Sequence, residues 1–145
     1  MKIWESVEGK LNLMLRVALA LRILNFILTF LLGRIYEVVD PSELLMELIA
    51  IAAFLLFIKL IREGRRWVIV LLFLGSIVSL FSTRDLFGLF VYWSEIPKFL
   101  WILVVLFIVL TFLNFVIFLY LTFSNEIGQY INEKRKERLR RELDK

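Results

Sequence analysis

Four runs of apolar residues, at about 11–32, 44–61, 66–82 and 99–123, divide the chain, and charged or turn-forming residues separate them. Within each run the apolar positions are continuous rather than alternating, which predicts helices that meet apolar surroundings on most sides. About 20 residues cross the hydrocarbon of a bilayer at a helical rise of 1.5 Å. By that measure the first and fourth runs are ample and the third is short. The pattern predicts an all-α integral membrane protein, an antiparallel four-helix transmembrane bundle over residues 1–131 with a basic C-terminal helical extension over 132–145.

The breaks fit helix ends. Asp40-Pro41-Ser42-Glu43 sets proline and acidic residues at a helix start, where the missing N–H and the dipole suit them. Gly64 stands where the second helix must stop and reverse, so a glycine C-cap in a tight hairpin is expected there. The aromatic segment 86–93 precedes Pro97 and reads as an interfacial anchor, with a ligand or partner site as the alternative. Trp4 and Trp67 suit the membrane–water interface at one end and Trp101 at the other. Ala18-Leu19-Ala20 imitates a signal-cleavage site, but Arg22 and a further apolar stretch follow it, so the first run is expected to be a retained span.

Composition agrees with this pattern. Of 145 residues 61% are hydrophobic, against about 45–50% in soluble domains, and the mean hydropathy is +0.83. Charge then orients the spans. Basic residues collect between the second and third runs (Lys59, Arg62, Arg65, Arg66) and after the fourth, while the other two loops carry as many acidic residues or more. The positive-inside rule predicts that both termini and the middle loop are cytoplasmic in a multi-pass protein of the cell (inner) membrane.

Counted from the cytoplasmic ends, Arg22, Asn25, Ser76 and Asn114 fall about 15–21 Å deep, and Glu47 about 22 Å. A charge at such depth costs at least about 2.5–3.5 kcal/mol and calls for a partner, so Arg22 is expected to pair with Glu47. This polar layer serves either as a path or ligand site, or as one ion pair plus two amides that join helices. If the first helix instead spans 17–39, Arg22 becomes a snorkelling side chain near the interface. Gly75 with Ser79, and Ala50 with Ala53, are expected to let helices approach closely.

The tail from residue 134 holds seven basic and three acidic residues, equal to the whole formal net charge of +4. Lys134, Arg135, Lys136, Arg138, Arg140 and Arg141 are expected either to contact anionic lipid headgroups or to act as plain topology determinants. Glu137 with Arg141, and Arg138 with Glu142, are spaced for i,i+4 ion pairs along a helix. The interrupting glutamates and the lack of an aromatic stacking platform argue against nucleic acid as a partner.

The chain contains no cysteine and no histidine, which removes thiolate and imidazole chemistry. Ser76 and Ser79 have no lysine at their depth, and no metal spacing or phosphate-binding glycine loop occurs, so neither an enzyme nor a cofactor is expected. Glu63-Gly64-Arg65-Arg66-Trp67-Val68 opens the third run. The fourth closes on Leu121-Thr122-Phe123-Ser124-Asn125-Glu126-Ile127-Gly128-Gln129-Tyr130-Ile131. With four spans and a short second hairpin, these features resemble the small four-span bacterial inner-membrane proteins of unknown function. The resemblance implies a bacterial membrane and no catalytic residues, and Arg22 and the basic tail depart from it. The expected function is non-catalytic binding of a membrane partner or lipid, or self-assembly into a homo-oligomer. The alternative is an oligomeric channel or small-solute transporter that uses the Arg/Glu/Asn layer.

Overall fold

The computed structural model describes residues 2–35, 41–82 and 97–143, and these are all-helical apart from short turns. Among the described residues there are five helices: α1 (Lys2–Ile35), α2 (Pro41–Arg62), α3 (Arg66–Ser82), α4 (Lys98–Phe123) and α5 (Asn125–Leu143). The first four cover the four apolar runs, and α1 begins well before residue 11. The aromatic segment 86–93, Glu37, Asp40 and the side chain of Trp4 lie outside the described residues. Among the described residues two stretches, Ser6–Leu31 and Lys98–Phe123, are long and apolar enough to cross a membrane, and Arg66–Phe81 is a shorter apolar helix.

The α2–α3 turn follows from local backbone chemistry. Gly64 adopts φ +85°, its N–H donates to the Ile61 carbonyl at 2.9 Å, and the Arg65 N–H donates to the Leu60 carbonyl at 3.1 Å. This pair of bonds is a Schellman motif, which satisfies the last carbonyls of α2 and needs a left-handed residue at Gly64. The same glycine meets α5. A β-carbon placed there would stand 2.6 Å from the Arg135 backbone nitrogen and 3.0 Å from the Ile131 carbonyl oxygen. Gly64 therefore answers two demands, a turn conformation and a close backbone crossing.

A second break separates α4 from α5. Ser124 has extended backbone (φ −69°, ψ 118°) and its N–H donates to the Tyr120 carbonyl. Its hydroxyl accepts from the Ile127 N–H at 3.5 Å, so one residue ends α4 and caps the start of α5. Arg66 reaches into the angle between them, its Nη2 donating to the Thr122 carbonyl at 3.5 Å. A guanidinium beside the C-terminal carbonyls of α4 is favoured by the helix dipole.

The basic tail is thus not a straight continuation of the fourth helix, nor a separate unit beginning at residue 132. Residue 132 lies inside α5, and α5 folds back to pack against α1, α2, α3 and α4. Ile127, Tyr130 and Ile131, spaced three and four apart, drive this docking by burying one face of its first half.

Each of α1 to α4 packs against its neighbours in sequence, and α4 also closes on α1. Buried side chains concentrate at the α5 end. Val7, Leu11, Leu15 and Ala18 from α1 meet Phe54 and Ile61 from α2, Val68 and Ile69 from α3, and Phe118 and Leu121 from α4. The Phe54 and Phe118 rings meet edge to face with centroids 6.0 Å apart, and Phe73 of α3 stacks on Phe115 of α4 at 5.8 Å. Such contacts add to the area they bury.

One sequence expectation about a helix face fails here. Gly75 and Ser79 are exposed, and a β-carbon at Gly75 would meet nothing within 4 Å. α3 turns its Val68, Ile69 and Ser76 side inward instead. Because α3 is apolar all round, spacing alone could not choose its inner face. Trp101, expected at an interface, lies in the first turn of α4 with its side chain against the protein. Ala50 and Ala53 on α2 are partly buried.

Candidate functional site

The contacts between α1 and the α4–α5 segment share one antiparallel register. Lys10 Nζ lies 3.5 Å from Glu126 Oε2, and fifteen residues further along α1 the Asn25 side-chain nitrogen donates to Thr111 Oγ1 at 3.5 Å. Both pairs have residue numbers of the same total, so Arg22 lies level with Asn114, and Ala18 with Phe118. Arg22, Asn25, Thr111 and Asn114 therefore occupy one layer, a helical turn thick, on the α1–α4 contact. Arg22 Nε, Asn25 Oδ1 and Asn114 Oδ1 are buried there without a hydrogen-bond partner.

Glu47 does not complete this layer. Among the described residues no ion pair joins it to Arg22, and the cause is directional. Arg62 Nε donates to Asn12 Oδ1 at 3.0 Å, which sets α2 antiparallel to α1 and leaves Glu47 further from the α5 end than Arg22. Helical side chains lean toward their own N-terminus. Arg22 thus leans toward α5 and Glu47 away from it, and the two diverge. Ser76 is buried, and its hydroxyl donates to the Phe73 carbonyl of its own helix at 2.7 Å, so it is satisfied without the layer.

Thr111 belongs to the layer as well, although its position in the sequence gives no sign of it. Its hydroxyl donates to the Phe107 carbonyl at 2.9 Å while accepting from Asn25. A threonine bonded back to its own helix carries no sequence signal of a contact across helices.

A second polar site lies where α5 crosses the ends of α1 and α2. Glu8, Arg62, Glu63, Tyr130, Lys134, Glu137, Arg138 and Arg141 line a cleft of about 280 Å³. Burial raises the Tyr130 phenol pKa far above its ordinary value, and a hydrogen bond to Glu8 and that carboxylate's charge push the same way. Lys134 Nζ stands 5.7 Å from the Tyr130 ring centroid and 3.4 Å from Glu137. Arg138 Nε lies 3.5 Å from Glu142 Oε1, as the i,i+4 spacing predicts. Glu137 faces Lys134 rather than its expected partner Arg141.

The phenol gives a pH-dependent expectation. Since its folded pKa is raised, the folded chain keeps a proton that the unfolded chain releases near pH 10. The contribution is complete below about pH 10 and is lost as pH rises beyond it. Tyr130→Phe is expected to cost about 1 kcal/mol at pH 8 and to flatten the fall of melting temperature between about pH 9.5 and 11. An equally steep fall in the variant would remove Tyr130 as its source.

No family model, no curated protein and no solved structure matches this chain. Any assignment of function rests on the two polar sites and on the surface around them.

Proposed function

We propose that the chain is a multi-pass membrane protein of the cell (inner) membrane in which α1 to α4 cross the bilayer as an antiparallel bundle. In this reading both termini and the α2–α3 turn are cytoplasmic, and α5 lies along the inner surface. The protein acts without catalysis, holding another membrane component, lipid or protein, against that surface.

One observation carries this reading: the outward sides of the long helices are apolar. Val17, Leu24 and Leu31 on α1, Val78 on α3, and Ile102, Val109 and Val116 on α4 are all exposed. Only 17% and 22% of the most apolar windows of α1 and α4 are buried within the chain. A core helix of a water-soluble domain is buried over most of its surface, so these helices fit a hydrocarbon solvent. The charges gather at the opposite extreme, on α5 and the α2–α3 turn, which supports the positive-inside orientation.

The test is the mass of the detergent-extracted particle with its retained lipids. Anionic phospholipid enriched over its share of the bilayer, or a defined oligomer, is the expected result. A monomer carrying lipids in bulk proportion would overturn the binding role.

The alternative of a channel or transporter keeps one specific support, the three unpartnered polar atoms of the Arg22, Asn25 and Asn114 layer. A guanidinium at that depth would favour an anion. A four-helix interior is filled by side chains, so a pore of this kind would form between protomers. Anion flux in proteoliposomes that falls in Arg22→Leu is the expected result on this reading, and absence of flux across a broad solute panel removes it.

A further inference from the structure

α5 divides its basic residues between two faces, and one of them joins a cleft shared with α1 and α2. Lys134, Arg138 and Arg141 continue the face of Tyr130 and Ile131 at helical spacing, and all three line the cleft with Arg62 of α2. Lys136 and Arg140 are exposed and lie outside this cleft. A solvated, undirected basic tail has no reason to gather cations from two helices around one cavity.

Four basic residues face three carboxylates in the cleft lining, Glu8, Glu63 and Glu137. Glu8 accepts from Tyr130, Glu137 faces Lys134, and Glu142, outside that lining, lies beside Arg138 Nε at 3.5 Å. Arg138 Nε and Nη1 nonetheless remain buried without a hydrogen-bond partner. No ion pair among the described residues involves Arg141. Unpaired guanidinium donors on the wall of a cleft suit an oxyanion as their acceptor.

We infer that the cleft between α5 and the end of α2 binds the phosphate of an anionic phospholipid headgroup, with Arg138 and Arg141 as its main donors and Lys134 and Arg62 at its sides. The lipid source rests on the membrane reading above. The cleft face of α5 is the one packed against the ends of the spanning helices, so in that reading it looks toward the headgroups. A sulfate-like or phosphate anion free in solution shares the chemistry but would not need this orientation.

The experiment measures phospholipid binding to the full chain in detergent, by native mass spectrometry and titration. Phosphatidylglycerol is compared with phosphatidylcholine, and inorganic phosphate forms a separate arm. Removing two charges from the cleft, Arg138→Gln with Arg141→Gln, is expected to weaken phosphatidylglycerol binding about tenfold or more. Removing two from the open side, Lys136→Gln with Arg140→Gln, is expected to weaken it less than about twofold, as screened surface charges do. Arg141→Gln alone, at an exposed side chain, gives an intermediate loss and guards against a folding artefact.

Equal weakening by the two double variants would overturn the cleft while leaving a binding role for α5. So would tight binding of inorganic phosphate with no preference between the lipids. Absence of any anionic preference in the unmodified chain would sink both the cleft and the proposed lipid-binding role.

Discussion

Gly64→Ala is expected to destabilise the chain more than the same exchange at Gly9, Gly75 or Gly128. The left-handed backbone of residue 64 costs a side chain about 1–3 kcal/mol. The β-carbon must then displace the Arg135 and Ile131 backbone, which approaches to 2.6 and 3.0 Å, and no flexible side chain is available to yield. Either the turn opens or α5 lifts from the ends of α2 and α3. Gly128→Ala is the matched control, since the new methyl group meets only the Arg66 guanidinium at 3.5 Å and removing a helical glycine gains up to about 1 kcal/mol. Melting of both variants in the same detergent checks the pair. A Gly64→Ala midpoint equal to that of Gly128→Ala would show that α5 does not rest on this turn.

The second large effect is expected at Val109, an exposed side chain near the middle of α4. If that face meets hydrocarbon, Val109→Asp costs about 2.5–3.5 kcal/mol on insertion and depletes the membrane-inserted population. If it meets water, the same change is neutral or improves solubility, because the residue touches little protein. The sign of the effect therefore separates the two solvents. Asn132→Asp, on the exposed side of α5, supplies the control, with no loss expected. Quantifying inserted protein after membrane fractionation reads both.

Much of this architecture is readable from residue order, because lipid-length apolar runs and turn residues act locally. The hairpin at Gly64 is such a case: charges precede it, an apolar run begins after Arg66, and glycine is the residue a left-handed cap favours. That Asn25 and Asn114 share one level is also accessible by counting the helical rise. What could not be read is where a side chain points, whether along a helix axis or around it. Arg22 and Glu47 have nearly the right heights for a pair, yet antiparallel helices tilt their side chains apart. Gly75 and Ser79 lie a turn apart on a helix with no polar side to orient it, and they face outward.

α5 is the instructive intermediate case. Ser124 three residues before Ile127, followed by apolar positions at 127, 130 and 131, is a signal for a new capped helix with a docking face. The charge of the segment from residue 134 obscured it, since a basic run after a span reads first as a topology determinant. Docking of α5 is what brings Arg62 and Arg138 to the same cleft, a juxtaposition with no trace in local sequence.

The central claim is that α1 to α4 thread a bilayer with α5 and the α2–α3 turn on its inner side. The absence of natural cysteine makes one measurement direct: labelling of single-cysteine variants in intact cells by a membrane-impermeant maleimide. Lys98→Cys is expected to label in intact cells, whereas Arg65→Cys and Arg140→Cys label only after the membrane is opened. Labelling of all three positions from one side, or of Arg65→Cys and Arg140→Cys from opposite sides, would contradict the account.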